Sequence, residues 1–156
     1  MLEKTVGEIL ARRRMTLAVA ESCTGGLLGS LVTDVPGSSA YFVGGVVSYA
    51  NEAKRRLLGV PDEMLRQQGA VSEDVALAMA RGARELFQVD VALAVTGIAG
   101  PAPETSKPVG LVYVALAASD LESCREFRWT GDRIANKRRS AEAALQLLLD
   151  YLERLL

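Results

Sequence analysis

The sequence predicts a single-domain, three-layer α/β/α sandwich on a mixed, partly parallel sheet. Two near-continuous apolar runs, at positions 16–20 and 89–95, read as strands buried on both faces. Segments of helical period alternate with them, and alternation of this kind calls for parallel strands with helices on either side. Two further strand-like segments, 109–117 and 125–129, are separated only by a polar turn. They form an antiparallel hairpin, which makes the sheet mixed.

Each element follows from local chemistry. Residues 3–14 place Val6, Ile9 and Leu10 on one side of a helix, and Arg12-Arg13-Arg14 suits the negative end of its dipole. The strand at 16–20 runs into Glu21-Ser22-Cys23-Thr24-Gly25-Gly26, and helical spacing resumes over 23–32 through Leu27, Leu28, Leu31 and Val32. Asp34-Val35-Pro36-Gly37-Ser38-Ser39 is a loop by every turn signal. Residues 41–49 form a strand in which Gly44-Gly45 marks close backbone packing or a bulge. Short helices follow at 51–58 and 61–68, the second entered through Pro61. Ser72 caps a longer helix with Glu73 and Asp74 in its first turn, and Val75, Met79, Ala83 and Leu86 run along it. The strand at 89–95 ends in Thr96-Gly97-Ile98-Ala99-Gly100-Pro101, and a proline-rich loop continues to Pro108. After the hairpin, a helix at 134–155 carries a stripe of Ala141, Leu145, Leu148 and Leu152. Without repeat, low-complexity tract or linker, residues 1–156 read as one domain.

Composition narrows the function. Of 156 residues, 49% are hydrophobic and 24% charged, with a net charge of −1, which suits a compact soluble protein with a real core. The basic triplets at 12–14 and 137–139 read as solvated helix faces, so no nucleic-acid partner is expected. No apolar run approaches a membrane span, and Met1-Leu2-Glu3-Lys4 leads into an amphipathic helix rather than a signal peptide. Cys23 and Cys124 make no disulfide framework and suggest a reducing cytoplasm. The chain has 0 histidines, its cysteines are single and far apart, and no paired-Asp motif stands out, so no metal is expected.

The missing histidine also restricts catalysis. Glu21 to Gly26 and Thr96 to Gly100 are small-residue loops at the carboxyl ends of apolar strands, where open α/β sheets bind ligands. Both loops are expected to face one crevice, with Gly25, Gly26, Gly97 and Gly100 allowing close backbone approach and the helix starting near Cys23 offering free N–H groups. If Ser22 or Cys23 is a nucleophile, its base must be a lysine, a carboxylate or a tyrosine. Ser48-Tyr49-Ala50-Asn51-Glu52-Ala53-Lys54 sits where a strand turns into a helix, so Tyr49 and Lys54 could reach the same end of the sheet. On the residues alone, Lys54 reads equally as a surface lysine beside Arg55 and Arg56, and Asp132 and Arg133 as a helix cap and a solvated side chain. Cys23 has apolar neighbours that favour packing, Cys124 has no partner, and Trp129 reads as core.

Together Ala20-Glu21-Ser22-Cys23-Thr24-Gly25-Gly26, Tyr49-Ala50-Asn51-Glu52-Ala53-Lys54, Gly69-Ala70-Val71-Ser72, Thr96-Gly97-Ile98-Ala99-Gly100-Pro101, Lys107-Pro108-Val109-Gly110 and Gly131-Asp132-Arg133 resemble the CinA C-terminal domain family. The resemblance runs over nearly the whole chain, with the blocks in the family's order. It implies the family's named activity, nicotinamide-nucleotide amidohydrolase (PncC, or NMN deamidase): hydrolysis of the carboxamide of nicotinamide mononucleotide, without metal or cofactor. The family's serine–lysine pair falls on Ser22 and Lys54, with Tyr49 beside them. Thr96 and Arg133 fall on positions the family links with the site, and Thr24, Gly25, Gly26, Ser48 and Gly97, in the loops and strand end described above, are expected to bind the nucleotide with them.

Such a mechanism needs a neutral Lys54, well below the ordinary lysine pKa of about 10.4; burial or a cation such as Arg133 would supply the shift. Lys54 would take the Ser22 proton directly or through Tyr49. One helix end cannot hold both phosphate and oxyanion, and the sequence leaves that assignment open. Two readings stand beside this one: a non-catalytic nucleotide-binding, competence- or damage-related regulatory module, and an amidase for another small amide. The loop Pro101-Ala102-Pro103-Glu104-Thr105-Ser106 lacks the glycines the family often carries there and is expected to be stiffer. The family also occurs fused to a molybdopterin-binding-like domain, and a stand-alone version is expected here. A homodimer is suggested by the apolar stripe of the terminal helix.

Overall fold

A computed structural model describes residues 1–102 and 106–154. The centre of the loop at 101–106 and the final two residues lie outside the described residues. The chain runs α1 (Leu2–Arg13), β1 (Leu17–Glu21), α2 (Leu27–Thr33), a short 3-10 turn (Ser38–Ala40), β2 (Phe42–Val47), α3 (Asn51–Leu58), α4 (Asp62–Gln68), α5 (Glu73–Phe87), β3 (Val91–Gly97), β4 (Leu111–Ala118), β5 (Glu122–Arg128) and α6 (Arg133–Leu152). The five strands form one sheet in the order β2-β1-β3-β4-β5. β1 pairs in parallel with β2 and β3, and β3-β4-β5 continue antiparallel, so the sheet is mixed as expected.

Strand alternation divides the core by side-chain size. Leu17 and Val19 of β1, Val91, Leu93 and Val95 of β3, and Val112, Val114 and Leu116 of β4 pack with α1, α2 and α6. Ala18 and Ala20, Ala92 and Ala94, and Ala115 and Ala117 face the other way, toward α3, α4 and α5. An alanine-lined face lets α5 lie close to the sheet, and α5 answers with Ala76, Ala80 and Ala83, all fully buried.

The same economy of volume brings α3 onto α5. A Cβ at Gly82 would lie 2.0 Å from the carbonyl oxygen of Leu58, the last residue of α3. Gly82→Ala is therefore expected to force α3 outward, lowering stability by about 1–3 kcal/mol. Thermal melting compared with wild type checks this; an unchanged melting temperature would mean that α3 is not held there.

The expected elements are present, with one boundary that matters. Helical spacing from Cys23 suggested an earlier start, but α2 begins at Leu27. Residues 23–26 form a turn because Gly25 and Gly26 take left-handed backbone angles, φ +60° and +106°. The stripe of α6 behind the homodimer expectation is buried within the chain: Ala141, Leu145, Leu148 and Leu152 are at most 1% exposed. Trp129 is only half-buried, stacked on Phe127 with its Nε1–H donating to Ser140 Oγ at 3.0 Å. Among the described residues no helix is long and apolar enough to cross a membrane.

Candidate active site

Parallel register sets the site. Glu21 of β1 stands opposite Val47 of β2 and Val95 of β3. The backbone ladder continues one step beyond: Ser22 N–H donates to Val95 O at 3.0 Å, and Ser48 N–H donates to Glu21 O at 2.8 Å. Ser48, Ser22 and Thr96 thus lie side by side, each two residues after a position on the alanine face (Val46, Ala20 and Ala94). The small-residue face of the sheet ends in a row of hydroxyls beneath α3. The opposite face ends in the carboxylate of Glu21.

α3 supplies the base. Its buried side carries Lys54 and Leu58, one turn apart, so the register that buries the leucine also buries the lysine. Lys54 is 1% exposed, whereas its neighbours Arg55 and Arg56 are exposed; the surface-lysine reading does not hold. Lys54 Nζ–H donates to Ser22 Oγ at 3.0 Å, to Ser48 O at 2.8 Å and to Tyr49 O at 2.9 Å. Carbonyl oxygens only accept, so Ser48 and Tyr49 engage two N–H groups whatever the protonation state. In the neutral amine, the lone pair can then receive the Ser22 hydroxyl proton.

These groups border a cavity of about 100 Å³, lined by Ser22, Cys23, Lys54, Thr96 and Gly97, with Asn51, Ala70, Val71 and Ala99 completing its walls and Tyr49 and Arg133 at the outer side. Arg133 Nη1–H donates to Gly100 O, and Nη2–H donates to the Tyr49 hydroxyl at 3.2 Å. The Tyr49 side chain, 53% exposed, therefore bonds to Arg133, and its main-chain carbonyl serves Lys54. The direct contact between Lys54 and Ser22 leaves no gap for a phenol relay. Thr96 Oγ1–H donates to Ala70 O at 2.8 Å, tying down the wall.

Thr24, Gly25, Gly26 and Ser48 stand behind the cavity rather than in its lining. The α2 N-terminus, a candidate for either phosphate or oxyanion, is already occupied. Glu21, 2% exposed, accepts from Gly26 N–H at 3.2 Å, Leu28 N–H at 2.8 Å and Gly29 N–H at 3.0 Å. The N–H groups of Cys23 and Thr24 donate to no oxygen among the described residues.

Desolvation pushes the Cys23 thiol up to about 12; its own backbone N–H, Lys54 and Lys137 pull the other way and do not prevail, while Glu21 adds to the rise. Cys23 is therefore a protonated thiol at neutral pH and a poor nucleophile beside Ser22. Cys124 in β5 is half-buried and likewise pushed up to about 12 by desolvation.

Glu21, Asn51, Ala70, Val71 and Ala99 were not singled out as site residues from the sequence. For Glu21 a signal existed: an acid terminating an apolar strand needs buried donors. Ala70 and Val71 carried no local signal. Larger clefts lie elsewhere, among them two of about 510 and 580 Å³. The first borders Asp90 and Ala118 at the opposite end of the strands, and the second lies among Met1, Phe127, Trp129 and α6. Among the described residues no group of three or more His, Cys, Asp or Glu could hold a metal ion.

Fold and site define a three-layer α/β/α protein holding a buried serine–lysine pair at the carboxyl ends of parallel strands. The CinA C-terminal domain model matches residues 1–152, and the chain belongs to that family. A CinA-like protein of Geobacter sulfurreducens is 53% identical over 148 residues, covering 94% of this chain and 36% of that protein. The chain thus spans little more than a third of the length of the curated relatives it matches. Among solved structures, the competence/damage inducible protein CihA of Agrobacterium tumefaciens superposes with a TM-score of 0.94 at 39% identity, covering 97% of this chain and 93% of that one. A competence-damaged protein (CinA) superfamily protein of Klebsiella pneumoniae gives 0.95 at 34% identity, covering 98% and 96%.

Proposed function

We propose that the protein hydrolyses the carboxamide of nicotinamide mononucleotide to nicotinic acid mononucleotide and ammonia. The reading is carried by the 3.0 Å contact between Lys54 Nζ and Ser22 Oγ, in a lysine that also donates to the carbonyls of Ser48 and Tyr49. Ser22 Oγ attacks the amide carbon as its proton passes to neutral Lys54, and the carbonyl π electrons move onto oxygen. The free N–H groups of Cys23 and Thr24 receive that oxyanion, a contribution of about 3–4 kcal/mol for a well-placed donor. Lys54 then returns its proton to the amide nitrogen, the C–N bond breaks, and ammonia leaves an acyl-Ser22. Water attacks this ester, passing a proton to Lys54, which protonates Ser22 Oγ as the carboxylic acid is released.

Pockets that enclose a whole small molecule measure about 300–1,000 Å³. At about 100 Å³, the cavity suits the amide-bearing ring, with ribose and phosphate directed outward.

Incubating the protein with the nucleotide and assaying ammonia tests the reading. The wild type should release ammonia, and Ser22→Ala should reduce the rate at least about 10³-fold, the scale for loss of an activated nucleophile. Equal rates for the two would leave the non-catalytic nucleotide-binding module as the better reading.

A further inference from the structure

The α2 N-terminus is closed by Glu21, so an anionic group on the ligand needs another partner. We propose that Lys137, with Arg133 one turn before it on α6, binds the phosphate monoester of the ligand and selects nucleotides over nucleosides. The ligand's identity rests on the amide-hydrolysis reading; the anion site itself does not.

Two observations lead there. The first is position. A Cβ at Gly25 would lie 3.7 Å from Lys137 Nζ, so the ammonium stands over the turn whose Gly25 N–H donates to Ser22 O at 3.1 Å. Lys137 charge also acts on the Cys23 thiol at the cavity wall. The second is pairing. Among the described residues neither Arg133 nor Lys137 has a carboxylate within ion-pair distance, whereas Arg138, the next residue, pairs with Glu142 at 2.9 Å. Like charges one helical turn apart repel, and a bound anion would relieve that repulsion. Arg138 and Arg139 line a different cleft, which leaves Arg133 and Lys137 as the α6 cations beside the nucleophile.

An ammonium with a guanidinium one turn away forms a donor pair suited to a phosphate monoester. The cavity holds the amide end, and the cations of α6 hold the other.

Calorimetric titration of the Ser22→Ala protein with nicotinamide mononucleotide and with nicotinamide riboside, which lacks only the phosphate, tests this. Adding Lys137→Met should weaken the nucleotide about tenfold or more and the riboside less than about threefold. Lys137→Arg should restore nucleotide binding to within about threefold, and raising salt should weaken the nucleotide selectively. Equal weakening of both ligands, no weakening of either, or no nucleotide binding by Ser22→Ala protein would overturn the phosphate assignment. Absence of ammonia release from the wild type would overturn the hydrolytic reading instead, while the binding difference would still report on the anion site.

Discussion

Lys54→Met is expected to reduce ammonia release by about 10³-fold or more while leaving the protein folded and able to bind the nucleotide. General-base assistance is worth roughly 10²–10⁴ in rate, and the upper part of that range applies because no histidine exists to substitute. Methionine matches the length of the buried stem, so packing against α5 survives while the proton acceptor is lost. The carbonyls of Ser48 and Tyr49 lose their donor, which should lower stability by about 1–3 kcal/mol. Steady-state rates for Lys54→Met, Ser22→Ala and the double variant decide the matter. If the two groups act as one unit, the double variant is no slower than the worse single variant. Multiplicative losses would show that Lys54 acts on something other than the Ser22 proton.

Glu21→Ala should be the most destabilising single change outside the aliphatic core. Its carboxylate accepts three N–H groups at the head of α2. Each buried donor left without an acceptor costs about 1–3 kcal/mol, so a loss of about 3–5 kcal/mol is expected. For a domain of this size that lowers the melting temperature by about 10 °C. Glu21→Gln keeps one carbonyl acceptor and should fall between the two. Calorimetric melting of the three proteins measures the effect, and a loss below about 1 kcal/mol for the alanine variant would show that α2 does not depend on this cap. Ammonia release should fall with it, because the turn carrying the Cys23 and Thr24 N–H groups loses its anchor.

The sheet was legible because apolar runs and their small-residue ends are local signals. Residues 16–20 and 89–95 announced β1 and β3, and the register of parallel strands then fixed which residues lie abreast at the carboxyl end. Asn51–Leu58 emerged with the expected bounds. The fate of Lys54 did not. Flanked by Arg55 and Arg56, it gives no periodic sign of being inside; its burial follows from Leu58 one turn later and from Gly82 on a distant helix. The N-terminus of α2 was misplaced for a related reason. Helical spacing in Leu27, Leu28 and Leu31 extends back to Cys23 on paper, but the backbone of Gly25 and Gly26 and the reach of Glu21 decide where the helix begins. Ala70 and Val71 enter the cavity only through the packing of the α4–α5 connection against the Thr96 loop.

The continuation of the ladder through Ser22 and Ser48 bears on how the molecule moves. The nucleophile's own N–H is a rung of the sheet, bonded to Val95, and its neighbour Glu21 holds Ser48. Displacing Ser22 would mean opening the strands themselves, an event near the free energy of global unfolding rather than of loop motion. Breathing of the site is left to the outer parts, the half-exposed ring of Tyr49 and the side chain of Arg133. Ligand entry and departure are then motions of rim side chains on fast timescales, around a reacting oxygen that stays still.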